Sequence, residues 1–312
     1  MHKITSCQIT VSRSSYPYAL LKQSVRQRRH LLLSFTMIRL LKFLVVIFVA
    51  IFCVIAYARK VEPAWLDVVQ VPVTLPHLAQ EFEGYRIVQV TDIHADQWMT
   101  RDRLADVVKT INQQNPDAVM LTGDFVTKAA EKYAPTLQAL ADLQAKDGSF
   151  AVLGNHDQWT KPQLLTETLQ SVGVDVLKNQ FHTIYRGNSE LQIAGVGDVW
   201  AQQDDLPAVL QQLPIAGAAI MLAHEPDFAD ETAATGRFDL QLSGHSHGGQ
   251  VYLPFYKRVT PPLGRKYPIG QYQVGSLIQY TSRGVGMARP RLRFNCRPEV
   301  TVLTLHAAPA AT

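Results

Sequence analysis

Five short blocks of the sequence carry side chains able to hold a divalent cation: Asp92-Ile93-His94, Gly123-Asp124, Gly154-Asn155-His156-Asp157, His224, and Gly244-His245-Ser246-His247. Together they offer carboxylates, one amide oxygen and several imidazoles, with no cysteine. That donor set suits Mn, Fe or Zn and argues against a thiolate-based structural zinc site. A carboxylate has two oxygens and can serve two metals at once. Neutral imidazoles and an amide fill further positions without making the centre too anionic for a phosphate. Two divalent cations roughly 3.5–4 Å apart, sharing a ligand with a water between them, form a centre for phosphoryl chemistry.

Distant blocks need a scaffold that gathers them. Short apolar runs at Arg86–Thr91, Ala118–Thr122, Phe150–Leu153, Leu191–Val196, Ala218–Ala223 and Phe238–Leu242 are expected to be buried strands, with a last strand at Val300–Leu305. Helical periodicity is expected over Arg103–Gln114, Pro135–Gln144 and Pro162–Val172. Strands alternating with helices imply a layered α/β domain. All but the fourth of the first six strands stop at a block, so their donors converge on one rim of the sheet, where open α/β folds place ligands. The fourth ends at Gly197-Asp198, outside the pattern.

In this order the blocks resemble the calcineurin-like metallophosphoesterase superfamily, with its D-x-H, G-D, G-N-H-D/E, H and G-H-x-H motifs, and the resemblance runs from about Gly84 to Thr304. The hydrophobic N-terminal segment, Gly248-Gly249 and the run Arg293 to Glu299 (RFNCRPE) look like its YkuE/YaeI membrane-associated phosphodiesterase branch. The resemblance implies a four-layer α/β/β/α sandwich with two mixed sheets. It implies that Asp92, His94 and His247 hold one divalent metal, that Asn155, His224 and His245 hold the other, and that Asp124 bridges them. It makes His156 a catalytic residue that protonates the leaving oxygen or neutralises transition-state charge, with Asp157 orienting His156. The implied reaction is cleavage of a phosphodiester or pyrophosphate by a hydroxide bridging the metals. Within the branch, the pyrophosphate of UDP-2,3-diacylglucosamine, in lipid A biosynthesis, is one implied substrate. An exported envelope phosphodiesterase and a membrane-tethered scaffold on the same fold are the alternatives.

Charge divides the 312-residue chain in two. Eight basic and no acidic residues precede Arg59, while the remainder carries 22 basic against 26 acidic side chains. A uniformly basic nucleic-acid binder does not divide this way. The resemblance implies a phosphorylated small-molecule or glycolipid substrate, and the apolar segment adds membrane lipids as expected partners. Residues 37–58 form an apolar segment flanked by basic residues, either a transmembrane anchor or a signal peptide with Ala56-Tyr57-Ala58 as its cleavage site. The excess of Lys and Arg before it leaves the N-terminus in the cytoplasm. The catalytic domain then lies outside a bacterial-type inner membrane, although UDP-sugars would require the cytoplasmic face. The expected organisation is a disordered leader over 1–36, the segment at 37–58, a connector over 59–83, the catalytic domain over 84–305 and a disordered tail over 306–312.

Some residues stand outside the motifs. Trp98 and Trp159 follow metal-binding blocks and are expected to pack against the site wall, and Asp96 is expected to be solvated. Lys257, Arg258, Arg265 and Lys266 lie with Tyr252, Phe255, Tyr256 and Tyr267 in a Pro/Gly-rich stretch. It is either a solvated basic loop or a surface for anionic headgroups.

Overall fold

The structure, a computed structural model, describes residues 16–309, which form two units, one ending at Ala56 and the other beginning at Tyr57. The first unit is a single helix, α1 (Tyr16–Ala56). From Leu21 onward its Leu, Phe, Val and Ile side chains are exposed, and it is long and apolar enough to cross a membrane. Residues 16–36, expected to be disordered, are its first turns. No glycine and only Pro17, in the first turn, interrupts this run of good helix formers. The expected leader over 1–15 lies outside the described residues.

Among the described residues, the second unit contains twelve strands in two six-stranded sheets. The first comprises β1 (Asp67–Leu75), β2 (Tyr85–Val90), β3 (Ala118–Thr122), β4 (Ser149–Val152), β5 (Val174–Val176) and β12 (Glu299–Ala307), in the order β1-β12-β2-β3-β4-β5. The second comprises β6 (Gln180–Arg186), β7 (Ser189–Gly195), β8 (Ala218–Leu222), β9 (Leu240–Ser243), β10 (Gly270–Val274) and β11 (Leu277–Thr281), in the order β10-β11-β9-β8-β7-β6. Both are mixed, with antiparallel pairing of β12 to β2 in one and of β6 to β7 and β10 to β11 in the other.

Helices α2 (Arg101–Asn112), α3 (Ala130–Tyr133), α4 (Asn155–Gln158), α5 (Pro162–Ser171), α6 (Leu206–Gln212) and α7 (Ala229–Ala234) complete the unit, with a 3-10 helix at Ala134–Asp142. Three apolar clusters define four layers. Leu104, Val108, Leu137 and Leu165 pack the outer helices on the first sheet. Ile87, Met120, Ile220 and Leu242 fill the space between the sheets. Val209, Phe228 and Ala229 cover the second sheet. This is the metallophosphoesterase-like four-layer arrangement.

The expected connector over 59–83 contains β1, which pairs in parallel with β12. Val71, Val73 and Leu75 are buried while Pro72 and Thr74 are exposed, a period-2 alternation. Proline is tolerated because β1 is an edge strand, where a ladder donor can be missing. His306 belongs to β12 rather than to a tail, and its ring meets Glu83 at 2.6 Å. The stretch read as a Pro/Gly-rich loop continues into a hairpin, β10–β11.

Candidate metal centre

The donors stand at the carboxyl ends of neighbouring strands in both sheets. Asp92 follows β2, Asp124 follows β3 and Asn155 follows β4, while His224 follows β8 and His245 follows β9. Asp92, His94, Asp124, His245 and His247 all have positive φ, between 49° and 68°. Such backbone costs about 1–3 kcal/mol per non-glycine residue and persists only where the surroundings enforce it. Close packing does so here. A Cβ on Gly154, whose φ is ordinary, would lie 2.5 Å from Asp124 Oδ1, and one on Gly244 would lie 2.4 Å from Asp92 Oδ2.

All seven expected ligands come together. Nε2 of His94 and His247 face each other at 3.0 Å. Asp92 Oδ1 is 3.2 Å from His247 Nε2 and 3.9 Å from His94 Nε2. Asp124 Oδ2 lies 3.4 Å from His94 Nε2 and 3.3 Å from His224 Nε2. Asn155 Oδ1 is 3.0 Å from His245 Nδ1, and the other ring nitrogen of His245 donates to the Pro262 carbonyl at 2.8 Å. That bond fixes the tautomer and leaves Nδ1 a lone pair.

Electrostatics separates the histidines. Burial pushes His94 down to about 4, His245 down to about 3 and His247 well below its ordinary value, so all three are neutral donors. Burial also works against a charged His224, but the Asp124 carboxylate outweighs it and holds His224 well above the usual range. Burial lifts Asp92 to about 6. Asp124 is held well below its ordinary value despite its burial, chiefly by the charge on His224. His224 Nε2 is buried without a hydrogen-bond partner, while its Nδ1 donates to the Thr122 carbonyl at 2.7 Å. Oxygens and unpaired imidazole nitrogens converging in this way fit a divalent cation.

His156 sits at the edge of this cluster, its ring 4.8 Å from that of His94 and its amide donating to Asp124 Oδ1 at 2.9 Å. Its Nδ1 donates to the Thr127 carbonyl at 2.8 Å, so the orienting partner is Thr127 and not Asp157 as expected. Asp157 is fully buried and accepts the amides of Gly154, Phe125 and Val126, tying together the loops that carry Asp124 and Asn155. A side chain surrounded by three backbone donors satisfies them before it can reach a neighbouring ring.

Trp159 lines the site as expected, but it is 56% exposed and belongs to a chain of ring contacts, His156–Trp159–Trp200–His245, tilted at the first pair and edge-on at the other two. Trp200 carries no sequence signal of its own, since it follows a strand outside the motif pattern. Asp96 is buried, caps the turn at Trp98 and Met99, and pairs with Arg291 at 2.5 Å. His77 and His306 pair with Asp239 and Glu83, and His182 packs on Phe150. None of the three belongs to the centre.

Comparisons with known proteins agree with this geometry. The calcineurin-like phosphoesterase family profile matches residues 85–249. The chain is 35% identical over 254 residues to the uncharacterized metallophosphoesterase YkuE of Bacillus subtilis, covering 80% of this chain and 88% of that protein. It is 33% identical over 255 residues to phosphodiesterase YaeI of Escherichia coli, covering 80% and 92%. A transmembrane protein with metallophosphoesterase domain from Danio rerio is 28% identical over 279 residues, covering 85% of this chain and 62% of its own length. The family profile spans all five blocks, and the chain belongs to the calcineurin-like phosphoesterase family of metal-dependent phosphoester hydrolases.

Proposed function

We propose that Asp92, His94 and His247 hold one divalent cation and Asn155, His224 and His245 a second, with Asp124 shared, and that the protein cleaves a phosphodiester or pyrophosphate. The observation that carries this reading is the position of Asp124 Oδ2, about equally near His94 and His224. Ions of the Mn, Fe or Zn class would supply Lewis acidity and an acidified water near neutral pH.

The chain's own groups do the rest. The Thr127 carbonyl holds His156 by Nδ1, so the ring in its doubly protonated form would present Nε2–H to the leaving oxygen, giving it a proton or offsetting charge on the phosphoryl group. Asp157 keeps the Asp124 and Asn155 loops in register. Trp159 and Trp200 on one side, and residues 249–261 with 288–292 on the other, give phosphorus room for two substituents. That supports a diester or pyrophosphate over a monoester.

Purified protein should contain metal and hydrolyse bis-p-nitrophenyl phosphate with added Mn²⁺. A protein that binds no metal and is inert would favour the scaffold reading. The apolar helix α1 and the transmembrane-named relative support anchoring in a membrane. The finer choice is between UDP-2,3-diacylglucosamine and an exported envelope phosphodiester. The basic excess before residue 59 favours the second, and a C-terminal reporter fusion that is active only in the cytoplasm would reverse that preference.

A further inference from the structure

We infer that the pocket over the metal centre takes an amphiphilic phosphoester, with its apolar chain lying between the Gly249–Pro261 strap and residues 288–292. The inference rests on the phosphohydrolase reading and names the substrate class for that site. The cavity is about 550 Å³, far larger than a phosphate and within the roughly 300–1,000 Å³ range of sites for whole small molecules. Asp124, Asn155, His156, His245 and His247 form its polar floor. Away from that floor the walls are Val251, Leu253, Val259, Pro261, Pro290 and Leu292. A substrate polar at both ends would lose solvation along those walls without gaining partners.

The groove is tied where it meets the metal centre and apolar where it leaves it. Tyr252 N donates to the Phe294 carbonyl at 2.8 Å, and Phe294 N to the Gln250 carbonyl at 2.9 Å. The Gln250 amide reaches across to the carbonyls of Ala288 and Pro290, joining the two walls. Arg258 donates to the Gly248 carbonyl at 2.7 Å and lies over the Tyr252 ring at 4.2 Å. Of the residues lining the cavity, Leu253 is 44% and Val259 73% exposed, and Phe255 in the same strap is fully exposed with φ +69°. Exposed Lys257 and Arg289 also line the cavity, matching the charge of a phosphate. The apolar track therefore begins at the phosphoryl floor and continues to the surface.

The test uses the full chain in nanodiscs with p-nitrophenyl phosphodiesters whose second ester group is methyl, butyl, hexyl or thymidine. Empty nanodiscs serve as the partition control. Binding is measured separately by calorimetric titration of methyl- and hexylphosphonate. The expected result is a kcat/KM that rises with chain length, by up to about fourfold per buried methylene, and tighter binding of the hexyl compound. In the combined variant Leu253→Ser, Val259→Ser and Leu292→Ser, the hexyl-to-methyl ratio should fall towards one whatever the absolute rate. A flat series with the methyl ester turned over, or preference for the thymidine ester, overturns the inference and leaves the phosphohydrolase reading standing. No turnover of any ester with chain-dependent binding kept overturns that reading, while the groove assignment is supported.

Discussion

His224 Nε2 lies 3.3 Å from Asp124 Oδ2, although the two residues come from different sheets. The Thr122 carbonyl, at the end of the strand that delivers Asp124, holds the opposite ring nitrogen of His224. The other oxygen of Asp124 takes the His156 amide. One carboxylate thus fixes the distance between the sheets at the point where the donors meet.

Asp124→Asn should remove activity by removing metal. The amide keeps the size of the side chain and one acceptor oxygen but loses the charge and the second oxygen that a shared ligand needs. Turnover is expected to fall by about 10³-fold or more, equivalent to several kcal/mol of lost stabilisation. Elemental analysis of the purified variant should show fewer bound ions per chain. Full metal content with unchanged turnover would exclude a bridging role.

His156→Gln should separate chemistry from metal binding. Its ring is outside the proposed ligand set although it packs edge-on against His94, and its other contacts run to the Thr127 carbonyl and Trp159. Loss of a positioned proton donor costs about 10²–10⁴-fold in rate. The expected pattern is a kcat reduced by that order with metal content unchanged. Equal loss of metal and activity would instead make His156 a ligand.

The five blocks were legible because each pairs an apolar run with donors at its end, a pattern that survives without knowing strand order. The backbone at those positions was not. Five of the proposed ligands sit at positive φ, a requirement imposed by neighbours such as Gly154 that only the folded chain brings into contact. The partners of Asp157 differ from the expected ring for a similar reason, since its choice among amides and a ring depends on loops far apart in sequence. Pro72 hid β1 because proline signals a break unless the strand is known to lie at an edge. Trp200 closes one wall from a loop with no motif.

Metal loading should release about one proton, carried by His224. His94, His245 and His247 are already neutral because burial lowers their pKa values to about 4, about 3 and well below the usual range. His224 is held well above its ordinary pKa by Asp124, so it is protonated in the metal-free protein near neutral pH. An incoming cation must displace that proton. Apparent affinity is therefore expected to rise with pH, about tenfold per unit, until the raised pKa of His224 is passed. Calorimetry in buffers of different ionisation enthalpy counts the protons directly. Release of three or four near pH 7 would contradict the neutral state of the other rings.

Residues just after the apolar helix should be needed by the catalytic body. Arg293 N donates to the Ala58 carbonyl at 2.8 Å, and Cys296 N donates to the buried Glu62 carboxylate at 2.5 Å. The fully buried Arg293 guanidinium in turn gathers the carbonyls of Arg283, Gly284, Gly286 and Cys296. Gly286 N donates to the Asp92 carbonyl at 2.8 Å, and Cys296 Sγ contacts the His247 carbonyl, so this cluster abuts two proposed ligands. A chain beginning at Trp65 keeps β1 but leaves two buried donors unpaired, each costing about 1–3 kcal/mol. Relative to a chain beginning at Tyr57, its Tm should fall by roughly 5–20 °C and its metal affinity should weaken. Cleavage after Ala58 would keep Glu62 but remove the Ala58 acceptor, so a chain beginning at Arg59 should melt between the two. Identical melting of all three would mean that the Ala58 and Glu62 contacts contribute nothing to the body.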